Sequence, residues 1–193
     1  MKSIHFVLLF LTLQSCGVGN KYLYLYSLKE SKTNTFEDDE INIDFVFTDK
    51  MINFTLKNKS DLPLKIEWNE SSIVINSITE KVTHSGIKFI DATRSLSPTM
   101  VPPQATIVES IMPVSNIYYQ EGVRDLNSGA TLIRSGWMQK DLLPTIDYKN
   151  EELRNRILSN KGKTVGVFLS IYKNNQMKNH YFEFFIKDVI KAK

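Results

Sequence analysis

Apolar and polar residues alternate along much of this chain with a period of two, the pattern of strands that bury one face. Ile52, Phe54 and Leu56 alternate with Asn53, Thr55 and Lys57, and Leu64, Ile66 and Trp68 alternate with Lys65 and Glu67. Residues 58–63 between them carry turn chemistry, because Asn, Ser and Asp bond to their own backbone and proline fixes φ. The pattern predicts a hairpin over residues 52–76, with Trp68 inside the core. Ile41, Ile43, Phe45 and Phe47 predict the strand before it, closed by Thr48, Asp49 and Lys50. Tyr22, Tyr24 and Tyr26 alternate with Leu23 and Leu25 and predict a first strand whose rings pack under a loop. Further short strands follow at Ile73 and Ile75, at Val82 and His84, at Ile87 and Phe89, and over residues 106–112, where Pro113 stops the run. Such strands, separated by frequent turn signals, predict an all-β antiparallel sandwich.

The end of the chain predicts its longest strands. Val165, Val167, Phe168, Leu169 and Ile171 form a nearly continuous apolar run, as in a strand central to its sheet. Asn174 and Asn175 accept positive φ and predict the turn into a partner that alternates Phe182, Phe184 and Ile186 with Tyr181, Glu183 and Phe185. Two stretches predict loops: the polar residues 29–40, and residues 93–104 with Pro98, Pro102 and Pro103. Residues 114–162 show no sustained period and predict one long irregular insertion. It contains a short helix capped by Asn150, running through Ile157 and Leu158, and ending near Gly162.

The leader changes the picture. Lys2 gives a positive start, residues 4–13 are mostly apolar, and Ser15 precedes Cys16. A run of that length is too short to cross a bilayer core of ~30 Å, so residues 1–15 predict a cleaved export signal. Leu13, Gln14, Ser15 and Cys16 resemble the lipobox of bacterial lipoproteins, although Gln14 is bulkier than the small residue usual there. The resemblance implies a diacylglyceryl thioether and an N-acyl chain such as palmitate on Cys16, a combination that anchors stably where one chain does not. Residues 16–20 then form a tether and residues 21–193 a single domain. Gly17 is not the Asp that favours inner-membrane retention, so the expected location is the outer membrane of the envelope.

Composition narrows the function. The 193 residues carry a net charge of +3, with 23% charged and 42% hydrophobic residues, as expected for one globular domain. The basic residues are scattered, so no nucleic-acid footprint is visible. Three histidines leave little for a metal site, and a lone cysteine excludes an intrachain disulfide or a CxxC redox pair. No metal or cofactor beyond the covalent lipid is expected.

Residues 58–63 with Ile66, Glu67, Trp68, Asn69, Ser71 and Ser72, residues 84–90 with Val101, Pro102 and Pro103, and the closing hairpin after Gly162 and Lys163 resemble a recurring pattern in uncharacterised bacterial envelope lipoproteins. The resemblance covers most of residues 41–113 and 162–190. It implies an immunoglobulin-like sandwich on a lipid anchor and supplies no catalytic residue.

Nucleophilic catalysis needs a Ser or Cys beside a base. His84 and His180 are the available bases, yet neither sits in a nucleophile elbow, and no catalytic residue is assigned. Recognition has better material. Tyr118, Tyr119, Arg124, Arg134 and Trp137 lie together in the irregular insertion, and binding hot spots favour aromatics and arginine. The leading expectation is a noncatalytic lipid-anchored envelope protein that binds or scaffolds a protein or glycan of the envelope. The alternative is a lipid-anchored hydrolase or carbohydrate-active accessory with a site in residues 114–162.

Overall fold

The alternating pattern dictates which side of each strand faces inward, and the register decides which strands meet. The structure, a computed structural model, describes residues 19–29, 31, 33–124 and 131–192. Chain order runs β1 (Tyr22–Leu28), β2 (Thr35–Glu37), β3 (Ile41–Phe47), β4 (Ile52–Asn58), β5 (Leu64–Ile75), β6 (Ile78–His84), β7 (Thr99–Val101) and β8 (Thr106–Pro113). Then follow β9 (Ile117–Gln120), β10 (Val123–Arg124), β11 (Thr131–Ile133), β12 (Gly136–Gln139), the helix α1 (Glu151–Leu158), β13 (Thr164–Lys173) and β14 (Gln176–Lys191). The all-β expectation holds: one antiparallel sheet follows the order β1-β14-β13-β5-β6-β8-β4-β3-β2, with β7 on β5, and nearly closes on itself.

Strand β6 produces the fold-over. Its residues from Ile78 to Lys81 pair with β5, whereas Val82, Thr83 and His84 pair with Pro113, Met112 and Ile111 of β8. The two halves of the sheet therefore face each other across one core. Phe45 and Phe47 of β3 meet Phe184 of β14 edge-on at 5.0 and 4.9 Å between ring centroids. Trp68, fully buried, donates from Nε1 to Thr99 Oγ1 at 2.9 Å and stacks on His84 at 4.4 Å. Burying such a ring removes roughly 150–250 Å² from water.

Residues 52–76 do not form the expected hairpin. β4 pairs with β3 and β8, while β5 pairs with β13, β6 and β7, so the turn at residues 58–63 carries the chain from one layer to the other. Asn58 makes this arch. Its buried Nδ2 donates to the carbonyls of Leu62 (2.8 Å), Val101 (3.1 Å) and Pro102 (3.0 Å), and its Oδ1 accepts from Ser60 N at 2.9 Å. An arch and a hairpin use the same alternation and the same turn residues, so only the pairing separates them.

The terminal hairpin is as expected. Asn174 and Asn175 take φ of 50° and 61°, and β13 lies between β14 and β5. The Tyr181 ring lies across Gly166, so an added Cβ would come within 2.5 Å of the hydroxyl and the ring would have to shift. The tyrosine row of β1 also behaves as expected: Tyr26 stacks on Phe47 at 3.9 Å, and Tyr24 donates to Pro144 O at 2.5 Å under the 142–145 loop. Two predicted loops contain short edge strands, β2 and β7. The expected strand at Ile87 and Phe89 is instead a turn followed by a 3-10 helix, Phe89–Asp91. Among the described residues no helix is long and apolar enough to cross a membrane.

Candidate functional site

The insertion expected to be irregular is ordered into an arm. β9 pairs with β12 in the register Ile117↔Gln139, Tyr118↔Met138, Tyr119↔Trp137 and Gln120↔Gly136. Beyond it, β10 pairs with β11 through Val123↔Ile133 and Arg124↔Thr131, with a register shift between the two pairs. Neither pair joins the main sheet, so β9 to β12 form a two-stranded ribbon of their own. Two-residue alternation puts Tyr119 and Trp137 on one face and Tyr118 and Met138 on the other. The Tyr119 and Trp137 rings meet edge-on, with centroids 5.5 Å apart and planes at 73°. Lys140 holds its ammonium 5.3 Å from the centre of the Tyr118 ring, a cation–π distance. Tyr119 is 53% exposed and Trp137 42%, although both are large aromatics.

Of the predicted surface residues, Tyr118, Tyr119 and Trp137 are thus brought together on one ribbon. Arg134 lies exposed between β11 and β12. Arg124 is placed in β10, and its side chain lies outside what the structure describes. Cys16 and residues 1–18 as a whole also lie outside the described residues.

No family model and no curated protein matches this chain. Among solved structures, a crystal structure of a protein from Archaeoglobus fulgidus matches at 11% identity over 82% of this chain and 98% of that one. At a TM-score of 0.25 that likeness carries no argument about fold or function.

The root of the arm is fixed to the β3–β4 turn. Gln139 Nε2 donates to Lys50 O at 2.9 Å, Leu142 N donates to Asp49 O at 2.8 Å, and Lys140 N closes onto Asn116 O at 2.8 Å. The same turn receives the start of the chain: Lys21 Nζ lies 2.5 Å from Asp49 Oδ2. A cleft of about 500 Å³ opens beside this root, lined among others by Lys50, Lys140, Tyr148, Leu153 and Arg156. Lys50 comes from a turn, Lys140 from the arm and Arg156 from α1. Asn150 caps α1 as predicted, its Oδ1 accepting from Leu153 N at 2.9 Å. The acid in the cleft, Asp141, accepts the Thr145 hydroxyl at 2.5 Å. Periodicity could not reveal this cleft, since its residues lie up to about a hundred positions apart.

The histidines sit elsewhere. His84 is sandwiched against Trp68, with Nδ1 3.5 Å from Glu109 Oε2. Burial pushes the Glu109 carboxyl up, but the nearby His84 ring and the Ser85 hydroxyl outweigh it and leave the group below its usual range. Ser85 donates to Glu109 rather than to the imidazole. His180 is buried with its ring parallel to Phe182, and that burial, with Lys178 nearby, lowers its pKa. Among the described residues no group of three or more His, Cys, Asp or Glu is gathered for a metal ion.

Proposed function

We propose that this chain is a noncatalytic, lipid-anchored protein of the bacterial envelope, held in the outer membrane through Cys16, whose β9–β12 arm binds or scaffolds another envelope component. One observation carries the reading: an edge-to-face Tyr119–Trp137 pair stands exposed on a ribbon that joins no other sheet. Large aromatics presented on a strand pair are what recognition surfaces use, because little side-chain entropy is lost on contact. The leader supports the anchor, with a short apolar run ending on the only cysteine in the chain. The immunoglobulin-like assignment belongs to this proposal too; two facing antiparallel layers around a buried Trp68 support it.

The hydrolase alternative finds less support. Within residues 114–162 Asp147 is fully buried among donors, which leaves Asp141, held by the Thr145 hydroxyl, as the one carboxylate lining the cleft among the described residues. The 73° angle between Tyr119 and Trp137 presents a wedge rather than a flat stacking platform for sugar rings.

The test is photo-crosslinking in a diderm bacterium fed labelled fatty acid, with a photoreactive residue replacing Tyr119 in the full chain. A product linking the arm to an envelope component, lipid or protein, is expected, and Cys16→Ala should abolish the acyl label. Crosslinking no stronger than from Val108, an exposed residue on β8, overturns the role of the arm. An acyl label that survives Cys16→Ala overturns the anchor.

A further inference from the structure

We propose that the component the arm engages is the bilayer surface itself: the end of the domain bearing the arm root lies flat on the membrane, with Tyr119, Trp137 and Tyr148 in the headgroup layer and Lys50, Lys140 and Arg156 at the lipid phosphates. This rests on the reading of Cys16 as acylated and names the partner of the same site.

The first argument is the length of the tether. Gly19, at φ +115°, packs so tightly on the next loop that an added Cβ would lie 2.6 Å from Tyr148 N. Asn20 is fixed beside it, its backbone N–H and side-chain amide both donating to Asp147. The chain is therefore held to the domain from Gly19 onward. Three residue steps separate Gly19 from Cys16, and they span at most about 11 Å even when fully extended. A cysteine acylated at the bilayer surface must bring Tyr148 to within about that distance of the lipid. Tyr148 is 63% exposed.

The second argument is which end of the domain this is. Lys21 pairs with Asp49, and the same β3–β4 turn receives the arm through Gln139 and Leu142. Tyr148 and Lys140 line one cleft. Tether, arm root and cleft thus share one end of the sheet. The acidic run lies at the other end: Glu37 pairs with Lys59, Asp38 with Lys178, and Glu40 with Lys173 beside the β13–β14 turn. α1 also brings Glu151 and Glu152 to the tether end and Asp141 lines the cleft itself, so attraction to phosphate rests on Lys50, Lys140 and Arg156 and is not a property of the whole face.

The third argument is chemical. Trp and Tyr rings concentrate at the headgroup level, where an apolar body and a polar edge are both satisfied. Lys and Arg beside them lay their stems on apolar surface and their charges on phosphate. A protein partner would also accept these rings, but it would not require Tyr148 within a tether's length of the anchor.

The experiment is bromolipid quenching of Trp137 in the mature protein. Full-length wild-type and Trp137→Phe chains are purified from membranes and reconstituted in vesicles of phosphatidylethanolamine and phosphatidylglycerol. Trp68 is fully buried and supplies the background in both. The wild-type minus variant signal should lose roughly half its intensity to lipids brominated near the headgroup and far less to iodide in the water, as an interfacial indole must. A chain that floats with vesicles, carries lipid on Cys16 by mass spectrometry, and keeps Trp137 open to iodide but insensitive to bromolipid overturns this proposal alone. Crosslinks from position 119 to protein or to a second copy, with none to lipid, do the same. A chain with no lipid on Cys16 that fails to float overturns the anchor reading and this one with it.

Discussion

Both oxygens of Asp147 hold Asn20: Oδ1 accepts its backbone N–H at 2.8 Å and Oδ2 accepts its side-chain amide at 2.9 Å. The carboxylate is fully buried, and it also accepts from Lys149 N at 2.9 Å and Arg154 Nε at 3.3 Å. The Asn20 amide first, then the backbone N–H groups of Lys149 and Asn20, hold its pKa well below the usual carboxylate range. This one group ties the entry of β1 to the loop before α1.

Asp147→Asn should therefore lower the melting midpoint at neutral pH by several degrees, since an amide cannot satisfy that ring of donors. A carboxylate depressed in the folded state stabilises fully above its unfolded pKa, near 4, and loses that contribution as pH falls through the folded value. The gap between wild type and variant should thus close in acid. Thermal unfolding across pH checks this, and a gap that stays constant down to strongly acid pH would refute it.

Asn58 holds the arch between layers with two N–H groups shared among three carbonyls. Asn58→Ala leaves those buried acceptors short and should cost about 2–4 kcal/mol. Asn58→Asp should cost more, because it sets a carboxylate against carbonyl oxygens. Denaturant midpoints rank the two, and equal or reversed losses would show that the arch is held by something else.

Trp68 fills the core between Phe54, His84 and Thr99. Trp68→Ala should lose about 3–5 kcal/mol. Trp68→Phe keeps a ring but leaves the Thr99 hydroxyl without its donor, and should lose distinctly less. Chemical unfolding with an unchanged slope distinguishes loss of packing from a change of the unfolded state.

The arm behaves oppositely. Tyr119→Ser and Trp137→Ser remove rings that stand half in solvent, so stability should shift by no more than about 1 kcal/mol. Retained melting behaviour with altered crosslinking from the arm is the expected pair of results. A loss of several kcal/mol would mean that the rings plug the fold.

Legibility followed the physics of each element. The strands at Ile41, Ile52 and Tyr181 announced themselves because one face is buried and one wet. β13 did so because both its faces are covered. The arm did not: both faces of a free ribbon are exposed, so its sequence carries no inside–outside alternation. Tyr118, Tyr119 and Trp137 were recognisable as candidates by residue type, but their meeting on one ribbon depends on the β9–β12 register. The cleft at Lys50, Lys140 and Arg156 had no local signal, since each residue looks like an ordinary surface cation.

The sequence by itself determined that the chain is built of antiparallel strands, where most of them lie, and that Trp68 and the inward phenylalanines belong to the core, because burial of alternate side chains is a local property. Tertiary structure decided which strands pair. It turned residues 58–63 into an arch instead of a hairpin, let β6 serve both layers, and placed the root of the arm beside the entry of β1. Those choices depend on hydrogen bonds between residues tens of positions apart, and such partners leave no mark on the spacing of the residues that make them.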